Sequence, residues 1–303
     1  MSLLAVGSVA FDDLETPSGK RENVLGGSAS HFSLSASRFT PVQVVAVVGE
    51  DFGPEQYRVF EGRPIDLAGL QRRPGLSFHW KGEYGVDLNE ARTLETHLNV
   101  FAGFKPDLPP SYRTAPYLFL GNIEPSLQLE VVRQMDKRPI WIALDTMNFW
   151  IDGARGPLLD VLKMIDILLV NEAEARSLTG ERSLLKIYEQ IQLLGPRILV
   201  VKRGEYGVAL FTPQGHFLAP AYPRREVVDP TGAGDTFAGG FMGFLAAAAD
   251  TDLETLKRAT LMGTVMASFT VEQFGTAALQ GLTDNALHGR LAAMRDLIHV
   301  AAR

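Results

Sequence analysis

"DPTGAGDTFAGG", residues 229–240, stands between the apolar, strand-like Glu226-Val227-Val228 and an apolar helical run from Phe237 to Ala249. Glycines at such a junction let a ligand reach bare backbone, and the first amides of a helix attract anions. A carboxylate at Asp235 should repel what that site attracts, so the acid needs a separate reason. A dinucleotide fingerprint fails, because Phe237 fills the third glycine position and the loop lies late in the chain. No G-x-x-x-x-G-K-[ST] string exists either. An alternative reading uses Asp235 directly, in phosphoryl transfer. The amides of Gly232, Ala233 and Gly234 would face a γ-phosphoryl group as its charge builds, and Asp235 would take the proton of an attacking hydroxyl. A plain helix-start aspartate after a glycine turn is the competing reading of the loop by itself.

Composition bounds the class. The 303 residues are 46% hydrophobic and 21% charged, which describes a globular chain with ample core. A net charge of −6 gives no footprint for nucleic acid or an acidic membrane surface. The absence of cysteine removes disulfides, thiolate nucleophiles and zinc–thiolate centres. The opening "MSLLAVGSVAFDD" lacks a basic leader and reads as a buried first strand, and no apolar run approaches bilayer length. A cytoplasmic protein is expected.

Apolar runs at 3–9, 42–49, 117–121, 139–145, 165–170, 197–202 and 207–211 suit strands buried on both faces. Helical periods fall at 28–38, 126–136, 156–164, 172–179 and 183–194, and the last third is helical at 233–248, 253–273 and 284–300. The alternation predicts an α/β fold, a doubly wound, mostly parallel sheet with helices on both faces. Two polar stretches, 12–25 and 75–104, read as strands of a small sheet with one wet face, a lid on a single domain spanning 1–303.

The glycine loop resembles the D-T/P-T-G-A-G-D signature of the ribokinase-like (PfkB) carbohydrate kinase family, and the resemblance runs nearly end to end. It implies Asp235 as catalytic base, with Gly232, Ala233 and Gly234 as the anion hole. Asn171-Glu172-Ala173-Glu174 resembles the family's N-x-x-E motif, which implies that Asn171 and Glu174 organise magnesium through water; the same string is also a good helix start. "VVKRGEYGVALF" resembles a K-x-G-x-x-G segment, placing Lys202 and Gly204 beside ATP together with Asn171, Thr231, Gly232 and Gly234. Asp229 and Thr231 match part of a monovalent-cation motif, so potassium is a further expectation. "GTVMASFTVEQFG" at 263–275 stands where relatives contact adenine, without their usual Asn.

At the amino end "GSVAFD" resembles a G-S-x-x-x-D opening whose acid holds sugar hydroxyls, implying Asp12, with Asp13 its neighbour. "GGSASHF" resembles the second signature: Gly26 and Gly27 let sugar approach the backbone, and His31 replaces the customary Asn. "LGNIE" puts Glu124 at a sugar-pocket acid with Asn122 beside it, and "DTMNFW" gives Asp145 and Asn148 no specific role. Carboxylates and an amide around two glycines suit a neutral, polyhydroxylated acceptor. Phe78, Trp80 and Tyr84 share one strand face that would stack on a sugar or a nucleobase, or serve lid packing or a homodimer through the lid. Asn89, Arg92 and Asn99 stay unassigned. The expected activity is an ATP- and Mg2+-dependent sugar kinase; a nucleoside kinase of the same fold, a non-catalytic sensor and an oxidoreductase are the alternatives.

Overall fold

The computed structural model describes residues 1–89 and 91–299. Among the described residues, thirteen strands divide between two sheets. The larger holds β1 (Leu3–Val6), β4 (Val42–Val48), β5 (Ile65–Arg72), β8 (Tyr117–Leu120), β9 (Trp141–Asp145), β10 (Ile167–Asn171), β11 (Ile198–Lys202), β12 (Val208–Thr212) and β13 (Gly215–Ala219). The smaller holds β2 (Ala10–Thr16), β3 (Gly19–Gly26), β6 (Phe78–Tyr84) and β7 (Ala91–His97). Helices are α1 (Ser28–Ala36), α2 (Pro54–Phe60), α3 (Pro125–Gln134), α4 (Asn148–Gly153), α5 (Arg155–Leu162), α6 (Glu172–Thr179), α7 (Leu184–Leu194), α8 (Ala233–Ala248), α9 (Leu253–Thr270), α10 (Ala277–Gln280) and α11 (Asp284–Ile298).

The large sheet runs β13-β12-β11-β10-β9-β8-β1-β4-β5, parallel except where β12 and β13 close one edge as a hairpin. Its central strands are apolar on both faces because both are covered. Leu3 and Ala5 enter one core with α1, α8 and α9, while Leu4 and Val6 enter the other with α3, α5 and α7. The chain leaves β1 toward β4 on one side and resumes at β8 on the other, so the order reverses between β1 and β8. A crevice opens at the carboxyl ends of strands where that happens. Gly7 and Gly121, just past the ends of β1 and β8, both press on Ser28 at the head of α1; a Cβ on Gly121 would lie 2.9 Å from Ser28 Oγ.

The expected strands and helices are present with ends displaced by a few residues. The short α2, α4 and α10 and the edge strand β13 have no counterpart in the sequence reading, and three further features differ. Glu226-Val227-Val228 is not a strand; it is held from the small sheet, where Thr16 Oγ1 donates to Val228 C=O at 2.8 Å. The edge strand β5 has no run of its own in the reading, because "IDLAGLQR" is half-exposed and interrupted by Gly69. Its register with β4 also shifts between Gln43 and Val45, which masks period two. The helical tail ends earlier, with α9 stopping at Thr270; the stretch 300–303 lies outside the described residues.

Candidate functional site

Four elements converge on the crevice: the start of α8, the ends of β9–β11, the start of α1, and the small sheet. Gly232 caps α8 in the left-handed region, φ 72°, and Ala233 opens the helix, so the amides of 232–234 lie at its half-buried first turn, where Ala233 N donates to Pro230 C=O at 3.1 Å. The His31 ring packs against Gly232 so closely that any Cβ there would overlap it. His31 is buried with both ring nitrogens unpartnered, and burial lowers its pKa to about 4, which keeps it neutral.

Asp235 lies in that first helical turn. Burial, followed by the Asp145 charge, raises its carboxyl to about 7, with Lys202 acting in opposition. Lys202 Nζ sits 2.5 Å from Asp145 Oδ2 and within van der Waals reach of Gly234. Burial disfavours its charge, but Asp145 and Glu174 outweigh that and hold the ammonium above its ordinary range. Glu174 is raised to about 7 by burial and by Asp145. One ammonium thus faces three carboxylates, an arrangement short of positive charge.

Asn171 and Glu174 form a capping box at α6: Glu174 N donates to Asn171 Oδ1 at 2.8 Å and Asn171 N donates to Glu174 Oε2 at 2.7 Å. The pair is therefore a helix start, as its sequence also allowed. Magnesium nevertheless fits here by charge, since hard oxygen donors surround a single lysine. Among the described residues no three His, Asp or Glu side chains form a metal cage, so a cation would keep water and phosphate ligands.

On the acceptor side, Asp12 is buried, and burial plus Asp229, Asp235 and Asp13 raises it to about 8. Its carboxylate fills the space a side chain at Gly26 would need. Gly27, φ 89°, would collide with Ser8 C=O if it bore a Cβ. Asp229 is fully buried and accepts from Thr231 N at 2.9 Å and Gly275 N at 2.8 Å. Asn122 is engaged elsewhere, accepting from Trp150 Nε1 at 2.9 Å, and Glu124 is exposed and takes the Ser126 hydroxyl.

The three aromatics of β6 divide their tasks. Phe78 stacks on Phe101 at 5.4 Å between centroids. Trp80, beside Asp12 in the parallel β2–β6 register, lies flat over Gly82 with Nε1 donating to Thr93 Oγ1 at 3.1 Å. Tyr84 meets Thr231. Gly204, φ 54°, is covered by the Asn89 carboxamide. Arg92 pairs with Glu83, and Asn99 Nδ2 donates to Ser77 C=O. Asp145 is the residue sequence reading missed. An aspartate ending a buried strand at the ligand edge was the signal, but its lysine lies two strands away, across β10.

The profile of the pfkB family carbohydrate kinase matches residues 134–281. The chain is 33% identical over 285 residues to a 2-dehydro-3-deoxygluconokinase of Thermoproteus tenax, covering 82% of this chain and 83% of the relative. It is 29% identical over 247 residues to a cytidine kinase of Thermococcus kodakarensis, covering 80% and 87%. An aminoimidazole riboside kinase from Salmonella enterica, solved with aminoimidazole riboside and an ATP analogue, superposes with a TM-score of 0.76 at 21% identity over 96% of this chain and all of that one. This chain belongs to the pfkB carbohydrate kinase family, phosphotransferases that act on an alcohol group. Its acceptor class is a sugar or a nucleoside. No helix among the described residues is long and apolar enough to cross a membrane.

Proposed function

We propose that the protein transfers the γ-phosphoryl group of ATP to a hydroxyl of a sugar, with Asp235 as general base. The observation that carries this reading is the Asp235 carboxyl itself, raised to about 7 in the first turn of α8 beside Lys202 and the loop amides. A base poised near neutrality accepts a proton from an alcohol most usefully at working pH. Asp12 holds the acceptor through its hydroxyls, while Gly26 and Gly27 bring the backbone close and His31 lines the floor. Gly232 and Gly234 offer their N–H groups to the oxygens that gain charge, and Ala233 joins them by turning its own from Pro230 C=O. Lys202 turns from Asp145 toward the phosphates, and Asn171, Gly204 and Thr231 border the nucleotide. Magnesium, held through water near Asn171 and Glu174, neutralises phosphate charge when bound.

The small sheet acts as the lid of a single kinase domain. It excludes water above Asp12 and so limits hydrolysis of ATP. A homodimer through the lid would use its charged outer side, where Lys81 pairs with Glu95 at 3.0 Å and His79 lies 3.3 Å from Asp13. Potassium would settle between the two turns that Asp229 ties together. Asn122 and Glu124 join the acceptor pocket by turning from Trp150 and Ser126.

Trp80 favours a second reading, a nucleoside acceptor. Its N–H is already satisfied, so only a flat π-face remains to offer beside Asp12, which suits a nucleobase as well as the C–H face of a sugar. The test is ADP release from Mg-ATP over pentoses, hexoses and nucleosides, with and without potassium. One acceptor that turns over in the wild type and not in Asp235→Asn supports the reading; full turnover in that variant defeats it. Trp80→Ala raises KM for a nucleoside and barely alters KM for a free sugar if the second reading holds.

A further inference from the structure

We propose that Tyr84 is a positioning residue for phosphoryl transfer, carried by the lid onto Thr231 so that the anion-hole turn is aligned only when the lid is down. The proposal rests on the anion-hole reading above. Thr231 Oγ1 donates to Tyr84 Oη at 3.2 Å, across 147 residues of sequence. The backbone N–H of Thr231 is held from the other side by Asp229 Oδ1 at 2.9 Å. Thr231 therefore enters the Gly232 turn pinned at two points, one supplied by the main domain and one by β6.

The phenol is chosen for its hydroxyl rather than its bulk. It stands among the carboxylates of Asp229, Asp12 and Asp235, and burial pushes its pKa above the ordinary value, which keeps it a neutral hydroxyl there. Phenylalanine would fill the same space without placing a polar group among charges. Because Thr231 is the donor, the phenolic hydrogen stays free for another oxygen in the crevice.

The far end of the same hairpin makes a second contact. Asn89 N and Nδ2 both donate to Asp87 Oδ1 at 2.9 Å, and the carboxamide so fixed covers Gly204 on the nucleotide side. The root is fixed as well, where Ser77 Oγ donates to Asp51 Oδ1 at 2.6 Å and Gly49 N donates to Ser77 Oγ at 2.9 Å. One hairpin thus bridges the loop that carries the base and the turn beside the nucleotide. Lifting it removes the side-chain hold on Thr231 and loosens the amides, so an open cleft that admits water is a poor catalyst.

The test compares the full-length wild type with Tyr84→Phe, Thr231→Val and the double variant. Hydrogen exchange of the amides of residues 230–236 is followed on the protein alone, and turnover is followed with Mg-ATP and either cytidine or ribose as acceptor. Faster exchange in that segment at unchanged melting temperature is expected for Tyr84→Phe. A kcat lowered about tenfold with KM for ATP unchanged is expected too, the size one hydrogen bond supports. The double variant should be no slower than either single one. Unchanged exchange, or losses that multiply in the double variant, overturns the proposal. Asp235→Asn runs in parallel: if it turns over normally, the base assignment fails, while the exchange result still judges Tyr84.

Discussion

Two groups of buried acids stand at opposite edges of the large sheet, and they are treated in opposite ways. At the amino-terminal edge, Asp166 is saturated: Arg138 at 2.9 Å, Arg197 at 3.3 Å and the amide of Ile142 at 3.0 Å meet its carboxylate. At the carboxyl-terminal edge, Glu174 and Asp235 share one lysine with Asp145, Asp12 faces other acids alone, and burial raises Asp12, Glu174 and Asp235. A folding chain satisfies a buried charge unless something else requires it unsatisfied. The first edge is built for stability and the second holds chemistry, a difference that substitution can expose.

The largest effect belongs to Asp235. Asp235→Asn keeps the shape and removes the proposed base, so kcat should fall by about 100-fold or more, measured by coupled ADP release. The melting temperature should stay level or rise, because the amide removes an acid that burial holds out of its preferred ionised state. A marked loss of stability would make Asp235 a structural residue and erase the contrast.

The glycines of the loop come next. Gly232→Ala meets both a left-handed φ of 72° and the His31 ring, whereas Gly234→Ala meets only the tip of the long Lys202 side chain at 2.9 Å. The first should lower kcat about thirtyfold, from roughly 2 kcal/mol of strain at the turn, and the second far less. Adding His31→Ala to Gly232→Ala should restore part of the loss, and equal kinetics for the two alanine variants would show that the turn does not shape the reaction.

Asp166→Asn is the reverse experiment. Its two arginines are half-exposed, so solvent screens part of the pairing, and a destabilisation of about 2 kcal/mol is expected by urea titration. Turnover of the folded variant should match the wild type. A fall in kcat would carry the functional edge around the sheet.

Much of this contrast was legible in the chain before folding. "DPTGAGDTFAGG" marked the loop and the acid, and α8 begins at Ala233 as its glycines and apolar run implied. The segments of the small sheet were readable because alternating polar residues with one wet face differ from runs buried twice over. What stayed hidden depends on strand order and register. Asp145 finds Lys202 only because β9, β10 and β11 lie side by side, and Tyr84 finds Thr231 only because β6 pairs with β2 above the crevice. Asn171 and Glu174 show the limit in the other direction, since a motif that names a metal function is held here as a helix cap.

The smallest and most diagnostic effect is the response to pH, which the raised acids of the carboxyl-terminal edge should set. Asp12 and Asp235 have folded-state pKa values of about 8 and about 7, above the 3.8 of an exposed aspartate. Between those limits the folded protein binds protons that the unfolded chain has released, so stability is full below about pH 4 and is lost as pH rises through 7 to 8. Activity moves the other way. On the proposed roles Asp12 and Asp235 must both be ionised, so kcat/KM rises about tenfold per pH unit between 7 and 8 and about a hundredfold per unit below 7, where both protons count. Melting temperature and kcat/KM measured from pH 5.5 to 8.5 should therefore cross, the free enzyme becoming less stable as it becomes more active. Asp235→Asn removes part of both slopes. Parallel rather than crossing profiles would mean that the carboxyl-terminal acids are already satisfied, as Asp166 is, and that the two edges do not differ in kind.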